Sequence, residues 1–171
     1  NYQVRLTADG VTQTQPFTVL KHPLRPISDA DLQFQWDLAS RIRDKVNEAN
    51  LAVIRIRRIK IDIAERIKDA PAEVRSAGER LAKALSAVEE DVYQVKNQSG
   101  QDPLNFPIKT NNRLASLLRV AVFGEGRPTG NVEPIFNDLV AELKAETDRL
   151  DQTIAAQLPP FNSMLTRIKK E

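Results

Sequence analysis

The amino-acid sequence predicts a mainly α protein, an up-and-down antiparallel helical bundle of three long helices and one short helix, with a β-hairpin at its N-terminal end. Two observations indicate this fold class. Residues 28 to 70 contain neither Gly nor Pro, and their apolar residues recur at alternating steps of three and four. Before them, apolar and polar residues alternate on both sides of Asp9-Gly10, a dipeptide typical of a tight hairpin turn.

The hairpin is predicted within residues 1–21. Its apolar residues occupy alternate positions, and Pro16, which lacks an N–H, suits a sheet edge. An isolated two-stranded hairpin is marginally stable, so it needs cover. One hypothesis is that these strands end a β-sandwich lying upstream of Asn1, in a longer product; the alternative is a hairpin docked on the helices. The apolar positions are Tyr2, Val4, Leu6, Val11, Phe17 and Val19.

The helical bundle is predicted over residues 28–171, after a proline-containing linker at residues 22–27. Ser28 is a suitable N-cap, with Asp31 three residues later. From there one unbroken helix runs to about Ala70. Its predicted stripe is Leu32, Gln35, Ala39, Ile42, Val46, Ala49, Val53, Ile56, Lys60, Ile63 and Ile67.

The remaining helices follow from prolines, glycines and the same spacing. Pro71 begins a second helix that ends near residues 97–100, with Gly78, Leu81, Leu85, Val88, Val92 and Val95 as its stripe. The loop at residues 101–109 is expected to cover the end of the bundle with its apolar side chains. A short helix capped by Thr110 or Asn111 carries Leu114, Leu117, Leu118 and Val122. The last long helix begins near Val132, carries Phe136, Leu139, Leu143, Leu150 and Ile154, and stops at Pro159-Pro160, before a final turn at residues 161–168.

Composition excludes several classes of function. The chain has 171 residues, about one domain, and its 25 basic and 23 acidic residues leave a net charge of +2, which disfavours nucleic acid as a partner. It has no cysteine and one histidine, His22, which excludes disulfides, thiolate chemistry and His-based triads or metal sites within this chain. No apolar run approaches the roughly 20 residues that span a bilayer.

The candidate motifs all have simpler structural explanations. The glycine-rich segment 124–130 lacks the preceding strand and the Gly-Lys-Ser/Thr of a phosphate loop. The basic run between Arg55 and Lys68 is interleaved with acids and predicts a solvated helix face, including an Asp62–Arg66 pair. Adjacent acids at 89–91 point in different directions, and Phe34 and Trp36 are expected to pack. We therefore predict no catalytic, cofactor-binding or metal-binding residue, and no cofactor.

Several residues together resemble one family. They are Tyr2, Val4, Leu6, Gly10, Gln15-Pro16, Val19, Pro23, Ser28, Asp31-Leu32, Gln35, Asn111 to Leu114, and Leu158-Pro159 with Phe161-Asn162. This pattern resembles the C-terminal region of bacterial sortilin-like, BNR-repeat β-propeller proteins. The resemblance implies a propeller and a small β-sandwich upstream, a helical tail here, and a secreted or periplasmic location. His22 and Leu24 depart from the family's Asp-Pro-Arg linker. The matching residues are scaffold residues, so they transfer no catalytic role.

Two functions are therefore expected, from different classes. The first is a noncatalytic structural or protein-interaction module at the C-terminus of a larger secreted protein. Its partner would be the upstream propeller of the same polypeptide or another protein, with possible self-association through residues 1–20 and no membrane span. The alternative is an accessory region of a BNR-repeat glycosyl hydrolase whose catalytic propeller lies upstream.

Overall fold

The computed structural model describes residues 2–168; Asn1 and residues 169–171, at the ends of the predicted hairpin and bundle, lie outside the described residues. The strands are β1 (Tyr2–Ala8) and β2 (Val11–Phe17). The helices are α1 (Asp29–Arg66), α2 (Ala72–Val92), α3 (Thr110–Ala121) and α4 (Val132–Ile168), with a 3-10 turn at Asp102–Leu104. This confirms the mainly α fold class with an N-terminal antiparallel hairpin.

The second pass of the bundle is made by two helices in succession. Near the middle of this pass, the C-terminal part of α2 faces α1 through the Arg57–Glu89 ion pair. α3 continues in the same direction, with Asn111 hydrogen-bonded to Asn50 and the carbonyl of Ala121 bonded to the side chain of Gln35. Both α2 and α3 thus run antiparallel to α1. The long loop from residue 93 to residue 109 separates the two helices.

The third pass is α4, which runs parallel to α1. Arg41 pairs with Glu133 and Arg55 pairs with Asp151. Farther along, Arg66 donates to the side chain of Asn162. The chain therefore goes up, down and up again, and the short helix shares the second pass with α2. At 1.5 Å per residue, the 38 residues of α1 extend about 57 Å.

α1 begins and packs largely as its sequence predicts. The Ser28 side chain accepts a hydrogen bond from the Asp31 N–H, and the Ser28 hydroxyl donates to the Asp31 carboxylate. Of the predicted stripe, Ile42, Ala49, Val53, Ile56 and Ile63 are buried. Val46 and Ile67 are partly buried, and Leu38 and Ala52 join the core although the predicted stripe omits them. The core reaches both neighbouring passes through Val74, Leu81, Leu85, Val88, Val92, Leu114, Leu117, Ala121, Val132, Phe136, Leu139, Leu143, Leu150 and Phe161.

Three apolar positions near helix ends were assigned wrongly. α2 ends at Val92, so Val95 lies outside the helix and is exposed. Val122 lies just past α3 and is exposed, while Ala121 takes the buried place. Leu104 is exposed and covers nothing. The loop is organised locally instead, by the side chain of Asp102, which accepts from two backbone N–H groups. At Val95 and Val122 the three-four spacing continues beyond the residue at which the backbone leaves the helix.

The predicted stop at Pro159-Pro160 is wrong, because α4 continues through both prolines to Ile168. A proline inside a helix removes a backbone hydrogen bond and crowds the preceding turn. Here both prolines are exposed, and so are Ala155 and Ala156, whose carbonyls lose the bonds, so water can replace them. Phe161 is buried at 2% exposure and holds the following turn on the bundle. Tertiary packing thus outweighs the local signal.

Candidate interaction site

The hairpin has one apolar face. Asp9 and Gly10 have positive φ angles of 50° and 78°, as both central residues of a type I′ turn require. The register pairs Tyr2 with Phe17 and Ala8 with Val11. Because alternate residues share a face, Tyr2, Val4, Leu6 and Ala8 of β1 lie on one side, opposite Phe17, Gln15, Gln13 and Val11 of β2, so the apolar side chains there are those of β1 and the two ends of β2. The rings of Tyr2 and Phe17 stack with their centroids 5.5 Å apart.

The other face of the hairpin is polar. It carries Gln3, Arg5 and Thr7 of β1, opposite Pro16, Thr14 and Thr12 of β2. The hydroxyls of Thr7 and Thr12 are 3.0 Å apart and form a hydrogen bond across the strands. Arg5 is the single charged residue of the two strands. The hairpin is therefore amphipathic, with its apolar side on one face of the sheet.

Nothing in the described chain covers the apolar face. Every residue of β1 and β2 is exposed, including Tyr2 at 59% and Leu6 at 67%. Within residues 2–168, no Cα of either strand comes within 8 Å of a Cα in a helix. The hypothesis that the hairpin is docked on the helices is therefore wrong for the described residues.

The hairpin joins the bundle at a junction that combines an ion pair with a largely apolar cleft. The Lys21 ammonium lies 2.6 Å from the Asp29 carboxylate and also donates to the Ile27 carbonyl. A shallow cleft of about 390 Å³ separates Tyr2 and Leu20 from Leu32. His22 accepts from the Leu24 N–H, which is a local turn bond within the predicted linker. These contacts fix the junction and leave the strands free.

The two aromatic residues at the start of α1 differ in their surroundings. Phe34 packs as predicted, with the Arg127 guanidinium 3.9 Å from its ring centroid. Trp36 does not pack: it is 66% exposed, because it lies on the side of α1 opposite the buried stripe. At the same end of the bundle, Phe123 is 90% exposed just beyond α3.

The glycine-rich segment is an interhelical loop, as predicted. It follows α3 and leads into α4. Gly124 and Gly126 have φ angles of 77° and 137°, which a residue with a side chain rarely adopts. Gln35 donates to the Gly124 carbonyl and so ties the loop to α1.

The basic run on α1 is paired largely with acids, one on α1 itself and the others on α2 and α4. Arg55 bonds Asp151, and the predicted Asp62–Arg66 pair is present at 2.8 Å. Arg57 and Lys60 both bond Glu89, which is 4% exposed. Burial opposes the charged form of Glu89, but these hydrogen bonds and positive charges outweigh it and lower its pKa.

A polar cluster, at the level of the break between α2 and α3, was missed by the sequence analysis. Thr110 and Arg113 donate to Glu142, and Arg149 bridges Asp91 and Glu146. The pKa of Glu146 is raised by burial, with Asp91 and Glu142 adding to the effect and Arg149 and Lys109 opposing it. Thr110 is fully buried and Asn111 nearly so. The sequence Thr-Asn-Asn at a helix start does not by itself predict this burial, which depends on the helices packed against it.

Residues 2–168 offer neither a metal-binding cluster nor a membrane-spanning helix. No group of three or more His, Asp or Glu side chains is arranged to hold a metal ion. None of the helices there is long and apolar enough to cross a membrane.

Comparisons with known proteins return no relative. No family model matches the chain, and neither a curated protein nor a solved structure does. The resemblance to BNR-repeat proteins therefore stays a prediction.

Proposed function

We propose that this chain is a noncatalytic docking module of a larger secreted protein, in which the bundle is a rigid scaffold and the hairpin is the docking element. The observation that carries the proposal is the exposed apolar face of the hairpin. Monomeric proteins rarely expose contiguous apolar patches beyond a few hundred Å² unless a partner covers them. A two-stranded hairpin also gains independent stability only from further strands or a packed helix.

The end of the bundle beside the hairpin supports the same proposal. Trp36 and Phe123 are exposed there, and so are Leu20 and Leu24 of the connecting segment. Aromatic side chains are enriched at the centres of protein interfaces. A partner that covers the hairpin would thus meet further apolar side chains on the adjoining end.

Deleting residues 1–20 tests whether the hairpin serves the bundle or a partner. We expect the shortened chain to sediment as a monomer and to melt within about 2 °C of the full chain, because exposed residues contribute little to stability. A large fall in melting temperature would contradict the proposal, because the hairpin would then be part of the bundle's own core.

A dye that binds exposed apolar surface, anilinonaphthalene sulfonate, tests the face directly. We expect its fluorescence with the full chain to fall when Val4 and Leu6 are both replaced by Ser. The matched control replaces Gln3 and Thr7, uncharged residues on the polar face of the same strand, by Ser and should leave the fluorescence unchanged. Equal losses of fluorescence in the two double variants would mean that the dye does not bind the apolar face.

The noncatalytic part of the proposal has its own assay. The purified chain should not hydrolyse polysaccharide or peptide substrates. Turnover that disappears on substitution of a single Asp or Glu would refute it.

A further inference from the structure

The two edges of the hairpin differ in their free backbone groups. A two-residue type I′ turn is closed by a hydrogen-bonded pair, here Ala8 and Val11, and hydrogen-bonded and non-hydrogen-bonded pairs then alternate along the ladder. Three pairs are non-hydrogen-bonded: Thr7 with Thr12, Arg5 with Thr14, and Gln3 with Pro16. Their backbone groups point away from the partner strand and form the outer edges.

Pro16 makes one edge incomplete. The outer edge of β1 offers the N–H and C=O groups of Gln3, Arg5 and Thr7. The outer edge of β2 offers the N–H groups of Thr12 and Thr14, but Pro16 has none. A strand pairing along β1 would satisfy every outward group, whereas a strand along β2 would face a missing donor.

We infer that the β1 edge is a strand-pairing site for an extended peptide segment that carries an acidic residue opposite Arg5. This inference rests on the proposed docking function and specifies its partner. The peptide bonds of the added strand supply affinity, and its alternate side chains extend the apolar face of Tyr2, Val4 and Leu6. A carboxylate directly across from Arg5 makes a favourable cross-strand pair.

Charge argues against a second copy of this chain as the partner. An antiparallel pairing of β1 with β1 over its full length, Tyr2 opposite Ala8, places Arg5 opposite Arg5. Like charges directly opposite one another are destabilising. An acidic strand removes that repulsion and keeps all the backbone bonds.

A labelled peptide tests the inference. The probe repeats the β1 sequence with glutamate in place of arginine, and its binding to the full chain is followed by fluorescence anisotropy. Two matched variants separate the edges: Thr7→Pro removes an outward N–H from the β1 edge, and Thr12→Pro removes the outward N–H of the cross-strand partner from the β2 edge. We expect saturable binding, at least tenfold weaker with Thr7→Pro and within twofold of wild type with Thr12→Pro.

A charge exchange tests the choice of partner. Arg5→Glu should weaken binding of the glutamate peptide and strengthen binding of the same peptide with its original arginine. Equal effects of the two proline variants, or no saturable binding, would overturn the edge assignment. If the dye experiment on Val4 and Leu6 still succeeded, the docking function would stand and this inference alone would fail. Equal binding of the glutamate and arginine peptides to the wild-type chain would overturn the inference that the partner strand is acidic.

Discussion

Replacing Ile56 by Ala measures how much the central stripe of α1 contributes to stability. Ile56 is 0% exposed and lies in the C-terminal half of α1, in the core that this helix shares with the other passes. The substitution removes three carbons, and at about 0.8 kcal/mol per buried CH₂ the transfer loss is about 2.4 kcal/mol. A cavity left between three helices adds to this, so we expect a total loss of about 3 to 4 kcal/mol.

Ile54→Ala is the matched control, because it makes the same chemical change two residues away on the same helix. Ile54 is 43% exposed, so its substitution should change the free energy of unfolding by no more than about 0.5 kcal/mol. Urea unfolding followed by circular dichroism measures both losses. Ile56→Ala should also lower the melting temperature by about 6 to 16 °C, at about 2 to 4 °C per kcal/mol. Equal losses for the two variants would refute the assigned stripe.

Other substitutions test the charges, the helix contacts and the prolines. Glu89→Gln should cost about 1 to 3 kcal/mol at pH 7, less than a fully buried pair because Arg57 is half exposed. Since the folded-state pKa of Glu89 lies below its unfolded value of 4.5, this contribution is present above pH 4.5 and lost as pH falls further, so urea unfolding should show the two proteins converging in acid. Glu146→Gln should instead raise stability at pH 7, because a raised folded-state pKa means that the charged form costs stability there. Gly78→Ala should lower the melting temperature, since the new Cβ would lie 2.7 Å from a methyl carbon of Ile67, whereas Gly130→Ala meets open space and should not. Pro159→Ala should raise the melting temperature, because an exposed proline inside a helix costs up to about 3 kcal/mol.

The hairpin and α1 could be predicted from the sequence because their signals are local. Asp9-Gly10 specifies the turn, and the spacing from Ile42 to Ile63 specifies the buried side of the helix. Other features depend on neighbours that are distant in sequence. The burial of Glu89 requires Arg57 and Lys60 on another helix, and the continuation of α4 past Pro159 requires a place for Phe161.

The exposed apolar face illustrates the same division. Alternation along β1 predicts which side chains share a face, but it does not say whether anything lies against that face. Trp36 shows the same limit, since a tryptophan near a helix start is expected to pack and this one is exposed. Absence of cover is a property of the whole arrangement and cannot be deduced from one segment.

An odd number of passes has a mechanical consequence for this molecule. Two or four passes would return the chain to the end where it started, as in most compact domains, whose termini are often close together. With three, the hairpin lies at one end of the bundle and the last turn of α4 lies at the other, about 57 Å away along α1. The bundle is thus a spacer of fixed length. Whatever binds the hairpin is held at a set distance from anything that binds near Arg167.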